Sequence, residues 1–319
     1  MLVFIVKRTL WTIPVLFVCV TILFGLMKAI SASPLRHAPP LGLSNVAWVK
    51  YGDYQPEGIK QNKERKMGLD KPWYVQYGRY LRNLARLDLG PTFTYEYRTV
   101  NSIVREQGMI TLELVLLALT WAFLFGVPLA VLSALWSGSL FDRVVTGVIG
   151  VTMGIPNFFV AAMLGYLLAV KAGVVPVFGW DGWRSKLLPS FVLALVPLSL
   201  ITRVLRASML DVLEADYVHA ARAKGLRRAR VVRVHVLRPA LIPVVSMTGP
   251  LIGSLVTGLF VVEWAFAIPG IGRYFIAAAG AGDYPLTIGL TVALTTAIVL
   301  ANLLSDIALA ALDPRIRDG

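Results

Sequence analysis

The side chains of this sequence that could do chemistry are few and widely separated. Cys19 lies inside a long apolar run and is the single cysteine. Because there is no second cysteine, an intrachain disulfide or a cysteine-based metal site is excluded. His37, His219 and His235 are far apart in sequence and do not indicate a metal site. A membrane-embedded enzyme would need paired acids or a nucleophile within the apolar runs, and the acids there are sparse and unpaired. We therefore predict no catalytic residue and no metal ligand.

One polar segment combines small side chains with a cationic rim, a pattern suited to docking. Ala215, Ala220, Ala221 and Ala223 favour a short helix, and Gly225 would end it because glycine tolerates the left-handed conformation. Small side chains would permit deep seating in a groove of a partner. An ordinary solvated basic loop is the alternative, and composition alone does not decide between the two.

Long apolar runs must position these residues. The sequence is 57% hydrophobic and 15% charged, whereas soluble domains carry about 25% charged residues. A helix needs about 20 apolar residues to cross a bilayer. Six runs meet or nearly meet this length: 9–27, 114–141, 144–170, 187–202, 239–262 and 284–305, the last continuing to 312. We predict an all-α membrane protein with six transmembrane helices, the first an uncleaved helix rather than a signal peptide.

Charge in the connections predicts the orientation. Residues 203–238 contain nine cations and three acids, so the positive-inside rule places this loop in the cytoplasm. With six spans, both termini are then cytoplasmic. We attribute the net charge of +13 to orientation and anionic headgroups rather than to nucleic-acid binding. The predicted divisions are 1–30 for the N-terminus and first helix, 31–110 for an extracytoplasmic segment, and 111–319 for the core of helices two to six.

The 31–110 segment conflicts with that rule, because it carries twelve cations although it should lie outside. Long loops escape the rule more readily than short ones. Within the segment, aromatic and leucine residues recur at helical spacing: Trp73, Tyr77, Tyr80, Leu81, Leu84 and Leu87. We predict an amphipathic helix that rests on the membrane or caps the bundle, followed by a break at Gly90 and Pro91.

The polar segment at 217–226 resembles the cytoplasmic coupling motif of ABC-importer permeases, which reads Glu-Ala-Ala, three residues and then Gly. Ala220, Ala221 and Gly225 match that motif. His219 replaces the glutamate, a departure common in the peptide-importer branch.

Four further segments are similar to the same branch: 4–8, 154–159, 268–272 and 312–317. Together with the motif, they resemble the B-type permease subunit of bacterial oligopeptide and dipeptide ABC importers. The Gly-Pro-Thr sequence at 90–92 resembles the oligopeptide members more than the dipeptide members. The resemblance implies a type I permease bundle in the bacterial inner membrane.

The resemblance also implies partners and a coupling site. A second homologous permease would complete the pathway, two cytoplasmic ATPases would bind ATP and Mg, and an extracytoplasmic binding protein would deliver peptide. This chain has no phosphate-binding Gly-x-x-x-x-Gly-Lys-Ser/Thr loop, so it would carry no cofactor and hydrolyse no ATP itself. The residues implied in ATPase coupling are Asp216, Tyr217, His219, Ala220, Ala221, Arg222, Lys224 and Gly225.

Three residues, one within the third apolar run and two just after the fifth, are candidates for the pathway or its gate. Asn157 would expose an amide to the pathway or else form a hydrogen bond between helices. Glu263 and Trp264 would line an outer gate or recognise a peptide amino terminus, and an interfacial anchor is the alternative. Two other functions stay open: import of nickel chelates, glutathione or sugars within the same family, and ATP-independent secondary transport, which no inverted hydropathy repeat supports.

Overall fold

Helices make up nearly all of the computed structural model, which describes residues 2–32, 71–92, 94, 95, 97–281 and 283–312. They are α1 (Leu2–Ala32), α2 (Trp73–Ala85), α3 (Val100–Leu135), α4 (Leu140–Gly154), α5 (Asn157–Lys171), α6 (Trp183–Leu213), α7 (Asp216–Ala223), α8 (Arg228–Val231), α9 (Leu237–Ala240), α10 (Ile242–Ala265), α11 (Ile271–Ala281) and α12 (Tyr284–Leu312). The end of α5 and the link between α8 and α9 are in the π form. His37 and the segments 33–70 and 313–319 lie outside the described residues.

Four helices within the described residues are long and apolar enough to cross a membrane: α3, α6, α10 and α12. The helices α4 and α5 meet these criteria only as a pair, which bends by 107° at the break between them. The helix α1 contains a shorter apolar stretch, Leu10–Leu26. The all-α membrane fold is therefore confirmed, and six spans remain a prediction that α1 and the bent pair would complete.

The third predicted span, 144–170, is wrong as one continuous helix. Pro156 has no N–H to continue the helical hydrogen bonds, and it disfavours the helical conformation at the residue before it. Ile155 accordingly has an extended backbone with ψ 126°, and the chain turns there. The apolar run 144–170 contains no charged residue near Pro156, so its hydropathy gave no sign of the turn.

The helix α3 begins earlier than its apolar run. Its first residue is Val100 rather than 114, so the predicted division at 110 falls inside a helix. The Thr99 side chain accepts a hydrogen bond from the Ser102 N–H, and the Thr99 N–H donates to the Ser102 hydroxyl. This reciprocal cap satisfies backbone groups that would otherwise be unpaired at the helix start.

The helix α6 extends beyond its apolar run in the other direction. It continues to Leu213 instead of ending at 202. Arg203 and Arg206, which the sequence placed in a cytoplasmic loop, are therefore helical. Arginine is a good helix former, so these charges ended the apolar run without ending the helix.

The helices α3 and α6 lie side by side and run in the same direction. Glu113 in the first half of α3 bonds to Lys186 at the start of α6, and Ser133 at the end of α3 bonds to Arg206 in the last third of α6. The buried face of α3 carries a small residue at every fourth position: Ala118, Ala122, Gly126, Ala130 and Ala134. We call this row the small-residue stripe; it lets the two helices approach closely. The end of the bundle where α6 leads into α7 is called the α7 end, and the opposite end is called the α11 end.

The helices α10 and α12 run in opposite directions. Gly249 of α10 lies so close to Asn302 of α12 that a β-carbon there would come within 2.9 Å of the Asn302 Cα. Further along, the Ser305 hydroxyl donates to the Val245 carbonyl oxygen at 2.6 Å. Glycine at 249 is thus required by close packing of the two backbones.

The amphipathic helix predicted within 31–110 is confirmed as α2. One face of it packs on α1 and α12, through Tyr80, Leu81, Leu84, Val20, Ile288 and Val292. The hydroxyl oxygens of Tyr77 and Thr21 lie 2.6 Å apart. Burial raises the pKa of Tyr80 to about 12. Beyond the helix, Leu87 and Gly90 have positive φ values of 59° and 93°, which form the predicted break.

Candidate docking site and its buried anchors

The short helix predicted from the alanine-rich segment is α7, which follows α6 almost directly. It begins at Asp216 and ends at Ala223. Gly225 has φ +78°, the left-handed conformation expected of it. Its N–H donates to the Arg222 carbonyl oxygen at 2.9 Å, which closes the helix end. The predicted helix and its glycine end are therefore confirmed.

One face of α7 is buried against the bundle. Val218 is 0% and Ala221 is 7% exposed, and their three-residue spacing places them on the same side. They belong to one apolar cluster with Leu205 and Met209 of α6 and with Val236. Burying a valine side chain contributes about 1.5–3 kcal/mol. The helix is thus packed onto the bundle by contacts within this chain.

The other face of α7 is open to solvent. It carries most of the remaining residues that were predicted for coupling: Asp216, Tyr217, His219, Ala220 and Arg222. Lys224 and Gly225 are exposed just beyond its end. Ala221, by contrast, faces the bundle and is not part of this exposed surface. The sequence analysis missed Val218, although its spacing to Ala221 on an otherwise polar helix indicates a buried side.

An ion pair with a buried carboxylate braces the bundle at the α7 end. Arg206 Nε lies 2.7 Å from Asp142 Oδ1, and Arg206 Nη2 lies 2.8 Å from Asp142 Oδ2. The Ser133 hydroxyl and the Gly138 N–H also donate to this carboxylate. A two-point pair of this kind fixes both distance and orientation. It therefore joins the end of α3, the start of α4 and the last third of α6.

At the α11 end, Glu263 is fully buried and is bonded inside this chain. The Thr111 hydroxyl donates to Glu263 Oε1 at 2.7 Å, and the Arg273 N–H donates to Oε2 at 3.2 Å. Arg273 lies in the first turn of α11, where unpaired backbone N–H groups favour a negative charge. The carboxylate thus anchors α11 to α10 and α3.

Gly270 makes room for this carboxylate. A β-carbon at Gly270 would overlap the Glu263 carboxylate group. The next N–H, that of Ile271, donates to the Thr111 oxygen at 2.9 Å, so Thr111 bonds both to the acid and to the start of α11. Packing therefore requires glycine at position 270, the first glycine of the 268–272 segment.

The two other candidate gate residues have different surroundings. Trp264 is 67% exposed, although its neighbour Glu263 is buried. Asn157 is the first residue of α5 and is half-buried. Its Nδ2 atom lies 2.9 Å from the position that a β-carbon at Gly258 of α10 would take. Asn157 therefore lies where α5 meets α10, directly after the 107° bend.

A third buried carboxylate, Asp283, ties the loop before α3 to α12. The Thr92 hydroxyl donates to Asp283 Oδ2 at 2.6 Å, and the Thr94 N–H donates to the same atom at 2.8 Å. The Leu286 N–H donates to Oδ1, so Asp283 also caps α12. Burial raises the pKa of Tyr95 in the same loop. The threonine of the Gly-Pro-Thr sequence thus has a structural role.

A partly exposed pair completes this end. Lys186 Nζ lies 2.6 Å from Glu113 Oε1, and the Trp180 indole N–H donates to Oε2 at 2.9 Å. The side chains of Lys186 and Glu113 are 24% and 44% exposed, so this pair contributes at most about 1 kcal/mol. Among the described residues, no group of three or more His, Cys, Asp or Glu side chains comes together as a metal site requires.

The chain matches one family of transport proteins over more than half of its length. Residues 126–318 match the binding-protein-dependent transport system inner membrane components. The chain therefore belongs to this family.

Individual relatives match the chain almost from end to end. The oligopeptide transport system permease protein OppB of Haemophilus influenzae is 35% identical over 321 residues, which cover 99% of this chain and 100% of the relative. The protein of the same name from Escherichia coli K12 is also 35% identical, over 99% and 100%. The dipeptide transport system permease protein DppB of Bacillus subtilis is 32% identical, over 98% of this chain and 97% of the relative.

A solved structure shares the fold. A chain of the MetNI methionine ABC transporter in an inward-facing conformation superposes with a TM-score of 0.54, covering 66% of this chain and 96% of its own. Its sequence identity to this chain is 18%, so the likeness concerns the fold alone. It confirms the expected ABC-importer permease fold.

Proposed function

We propose that this chain forms one half of the transport pathway of an ATP-driven peptide importer, and that α7 is the surface on which a cytoplasmic ATPase acts. Relatives named for oligopeptide and dipeptide transport match the chain along its length. This likeness favours peptides over nickel chelates, glutathione or sugars as the cargo.

The observation that carries the docking proposal is the two-sided packing of α7. Val218 and Ala221 pack in the cluster that contains Leu205 and Met209 of α6, while Tyr217 and Ala220 face solvent. A partner that grips the exposed face would therefore move α6 as well. If the bundle has two conformations, shifting their population ratio from 1:99 to 99:1 requires a partner to bind one conformation about 5.5 kcal/mol more tightly than the other. That energy reaches the bundle only if the connecting helix stays folded, and its buried face favours this.

The proposed importer needs other chains. Two ATPases would bind ATP and Mg and hydrolyse the nucleotide, and this chain would be non-catalytic and without a cofactor. A second homologous permease would supply the other half of the pathway, and an extracytoplasmic binding protein would deliver the peptide. Membrane lipids would surround the bundle, and nucleic acid would have no part.

We place the α7 end in the cytoplasm. The sequence from 217 to 262 contains no acid, and its exposed cations gather at this end: Arg222, Lys224, Arg227, Arg228, Arg230, Arg233 and Arg238. The positive-inside rule favours that orientation. Val20, in the second half of α1, packs near the start of α12, so α1 begins and α12 finishes at the α7 end. Both termini would then be cytoplasmic.

Cysteine crosslinking of the assembled importer tests the docking proposal. Cys19→Ala first removes the single native cysteine. Ala220→Cys then places a thiol on the exposed face of α7, and Trp183→Cys places one at the α11 end, where Trp183 is 67% exposed. We expect crosslinks to the ATPase from position 220 and none from position 183. The reverse pattern would contradict the proposal.

Uptake into proteoliposomes tests the cargo and the energy source. The complete importer receives a labelled peptide library and, in parallel, a nickel chelate, glutathione and sugars. We expect uptake of peptides that depends on ATP. Transport of a non-peptide cargo alone would overturn the assignment of cargo, and transport by the purified chain without ATPases would overturn the proposed mechanism.

A further inference from the structure

The side of α10 that the other helices leave uncovered carries an unusual set of residues. The structure describes all of α10, and the residues exposed before Trp264 are prolines or carry hydroxyl groups: Pro243, Ser246, Pro250, Ser254 and Thr257. Steps of three and four residues place them on one side of the helix. We call Ser246, Ser254 and Thr257 the hydroxyl face.

Contact with lipid does not account for the hydroxyl face. In the middle of α1, the exposed side chains are large and apolar, as are Phe17 at 51% and Val18 at 52% exposure. Hydrocarbon favours such side chains because it offers polar groups no hydrogen-bond partner. On α10, no exposed large apolar side chain precedes Trp264, over about four turns of helix. This side of α10 therefore faces water or polar groups.

The hydroxyl face offers hydrogen-bond acceptors. The Ser246 and Ser254 hydroxyls donate to the carbonyl oxygens of Pro243 and Leu251, at 2.9 and 2.7 Å. Their own oxygen atoms keep lone pairs that can accept. Pro250 has no N–H, so the Ser246 carbonyl oxygen lacks its usual helical donor. A ligand that fits this side of α10 is therefore one with several N–H groups.

The spacing of these residues along α10 is close to that of an extended peptide. Ser246, Pro250 and Ser254 follow one another at four residues, which is about 6 Å along the helix. Main-chain N–H groups on one edge of an extended peptide recur every second residue, at about 6.7 Å. Acceptors on α10 can therefore meet successive N–H groups of one peptide edge, whatever the peptide's side chains.

Two of the candidate gate residues border the hydroxyl face. Trp264 lies seven residues, or two turns, beyond Thr257 and extends this side of α10 to the α11 end. The Asn157 amide lies against Gly258, the residue after Thr257. The exposed side of α10 thus runs between the two ends of the bundle, as the lining of a pathway must.

We propose that the hydroxyl face lines the transport pathway and binds main-chain N–H groups of an extended peptide. The inference rests on the proposed function, because it takes the cargo to be a peptide. The Ser246 carbonyl favours a hydrated pathway over a packed helix of the second permease, since burial of an unpaired carbonyl is costly. Recognition of the main chain would let one pathway carry peptides of different sequence.

Thiol modification of the assembled importer in proteoliposomes tests whether water reaches this side of α10. In the Cys19→Ala background, Ser254→Cys is compared with Val18→Cys, which lies at the middle of α1. A charged methanethiosulfonate reacts with thiols that water allows to ionise. We expect Ser254→Cys to react roughly tenfold faster than Val18→Cys. Excess tripeptides, supplied with the binding protein and ATP, should slow this reaction, and free amino acids should not.

A pair of threonine variants tests recognition of the main chain. Thr257→Val removes a hydroxyl from the face, and Thr248→Val removes one from a half-buried position elsewhere on α10. We expect Thr257→Val to lower the uptake of tripeptides roughly two- to tenfold, the effect of one hydrogen bond, and Thr248→Val to leave it unchanged. The loss should be similar for cationic, acidic and apolar tripeptides.

Three results would contradict the inference. Equally slow reaction of Ser254→Cys and Val18→Cys would show that lipid covers the hydroxyl face. Slow reaction together with crosslinks from Ser254→Cys to the second permease would show that a packed helix covers it. Rapid reaction of Ser254→Cys in an importer that takes up only non-peptide cargo would keep the hydroxyl face as a pathway lining and overturn both peptide recognition and the proposed cargo.

Discussion

The carboxylate of Glu263 fills the space beside Gly270 that any larger residue there would occupy. The helices α10 and α11 therefore interlock through a buried carboxyl group on one and an absent side chain on the other. Thr111 joins α3 to the same point by donating to Glu263 and accepting from Ile271. The position of α11 against the bundle thus depends on this contact.

Gly270→Ala should destabilise the protein by about 1–3 kcal/mol, because the added methyl group overlaps a buried carboxylate. The shift in Tm of the purified chain in detergent measures this effect. Gly280→Ala is the matched control in α11, where a β-carbon meets nothing within 4 Å, and it should be neutral or slightly stabilising. Equal shifts for the two variants would show that the space beside Gly270 is not restrictive.

Glu263→Gln should cost about 1–3 kcal/mol, because the amide has one acceptor oxygen where the carboxylate offers one each to the Thr111 hydroxyl and the Arg273 N–H. Thr111→Val removes the hydroxyl that bonds to the same acid. The two losses should not add in a double-mutant cycle, and the coupling should exceed about 0.5 kcal/mol. Strict additivity in denaturation midpoints would indicate that the two side chains act separately.

Arg206→Gln should destabilise the bundle by roughly 2–4 kcal/mol, since it leaves Asp142 buried without its partner. The cost is lower than for a fully buried pair because the Arg206 side chain is 23% exposed. Arg203→Gln removes an exposed charge from the same helix and should change stability by less than about 0.5 kcal/mol. The thermal unfolding midpoints of the two variants measure these losses of stability. Similar midpoints would refute a structural role for the Asp142–Arg206 pair.

Gly225→Pro should leave the protein inserted but separate ATP hydrolysis from uptake. Proline holds φ near −65° and cannot adopt the +78° of Gly225, so the end of α7 must rearrange. We expect uptake by the complete importer to fall roughly tenfold or more while the ATPases continue to hydrolyse ATP. Gly173→Pro changes another left-handed glycine, φ +64°, at the α11 end and should preserve coupling. Normal uptake by Gly225→Pro would rule out α7 as the coupling element.

Local patterns in the sequence were sufficient to predict the helices α2 and α7. Alanines and a terminal glycine predicted α7, and the spacing of Tyr77, Tyr80 and Leu84 predicted α2. Both signals lie within a few turns of chain, where helix propensity and side-chain periodicity act. The bend after Ile155 was missed because hydropathy weighs apolar content and ignores the N–H that Pro156 lacks.

The buried anchors could not be predicted in the same way. Asp142 and Arg206 are separated by 64 positions, and Thr111 and Glu263 are separated by 152. Each of these residues looks like an isolated polar group at the end of an apolar run. Only the packing of helices shows that Glu263, which the sequence suggested for a gate, is enclosed by this chain.

The parallel pairing of α3 and α6 has a mechanical consequence. The helix α6 has 31 residues and is about 46 Å long. The small-residue stripe keeps its axis close to that of α3, so the two helices should tilt together as a stiff beam. A tilt of about 5° applied where α6 meets α7 would displace the opposite tip by about 4 Å. That displacement exceeds the 2.7 Å between the Thr111 hydroxyl of α3 and Glu263 Oε1 of α10, which lies outside the pair. A small angular change on one side of the membrane would thus be magnified into side-chain rearrangement on the other.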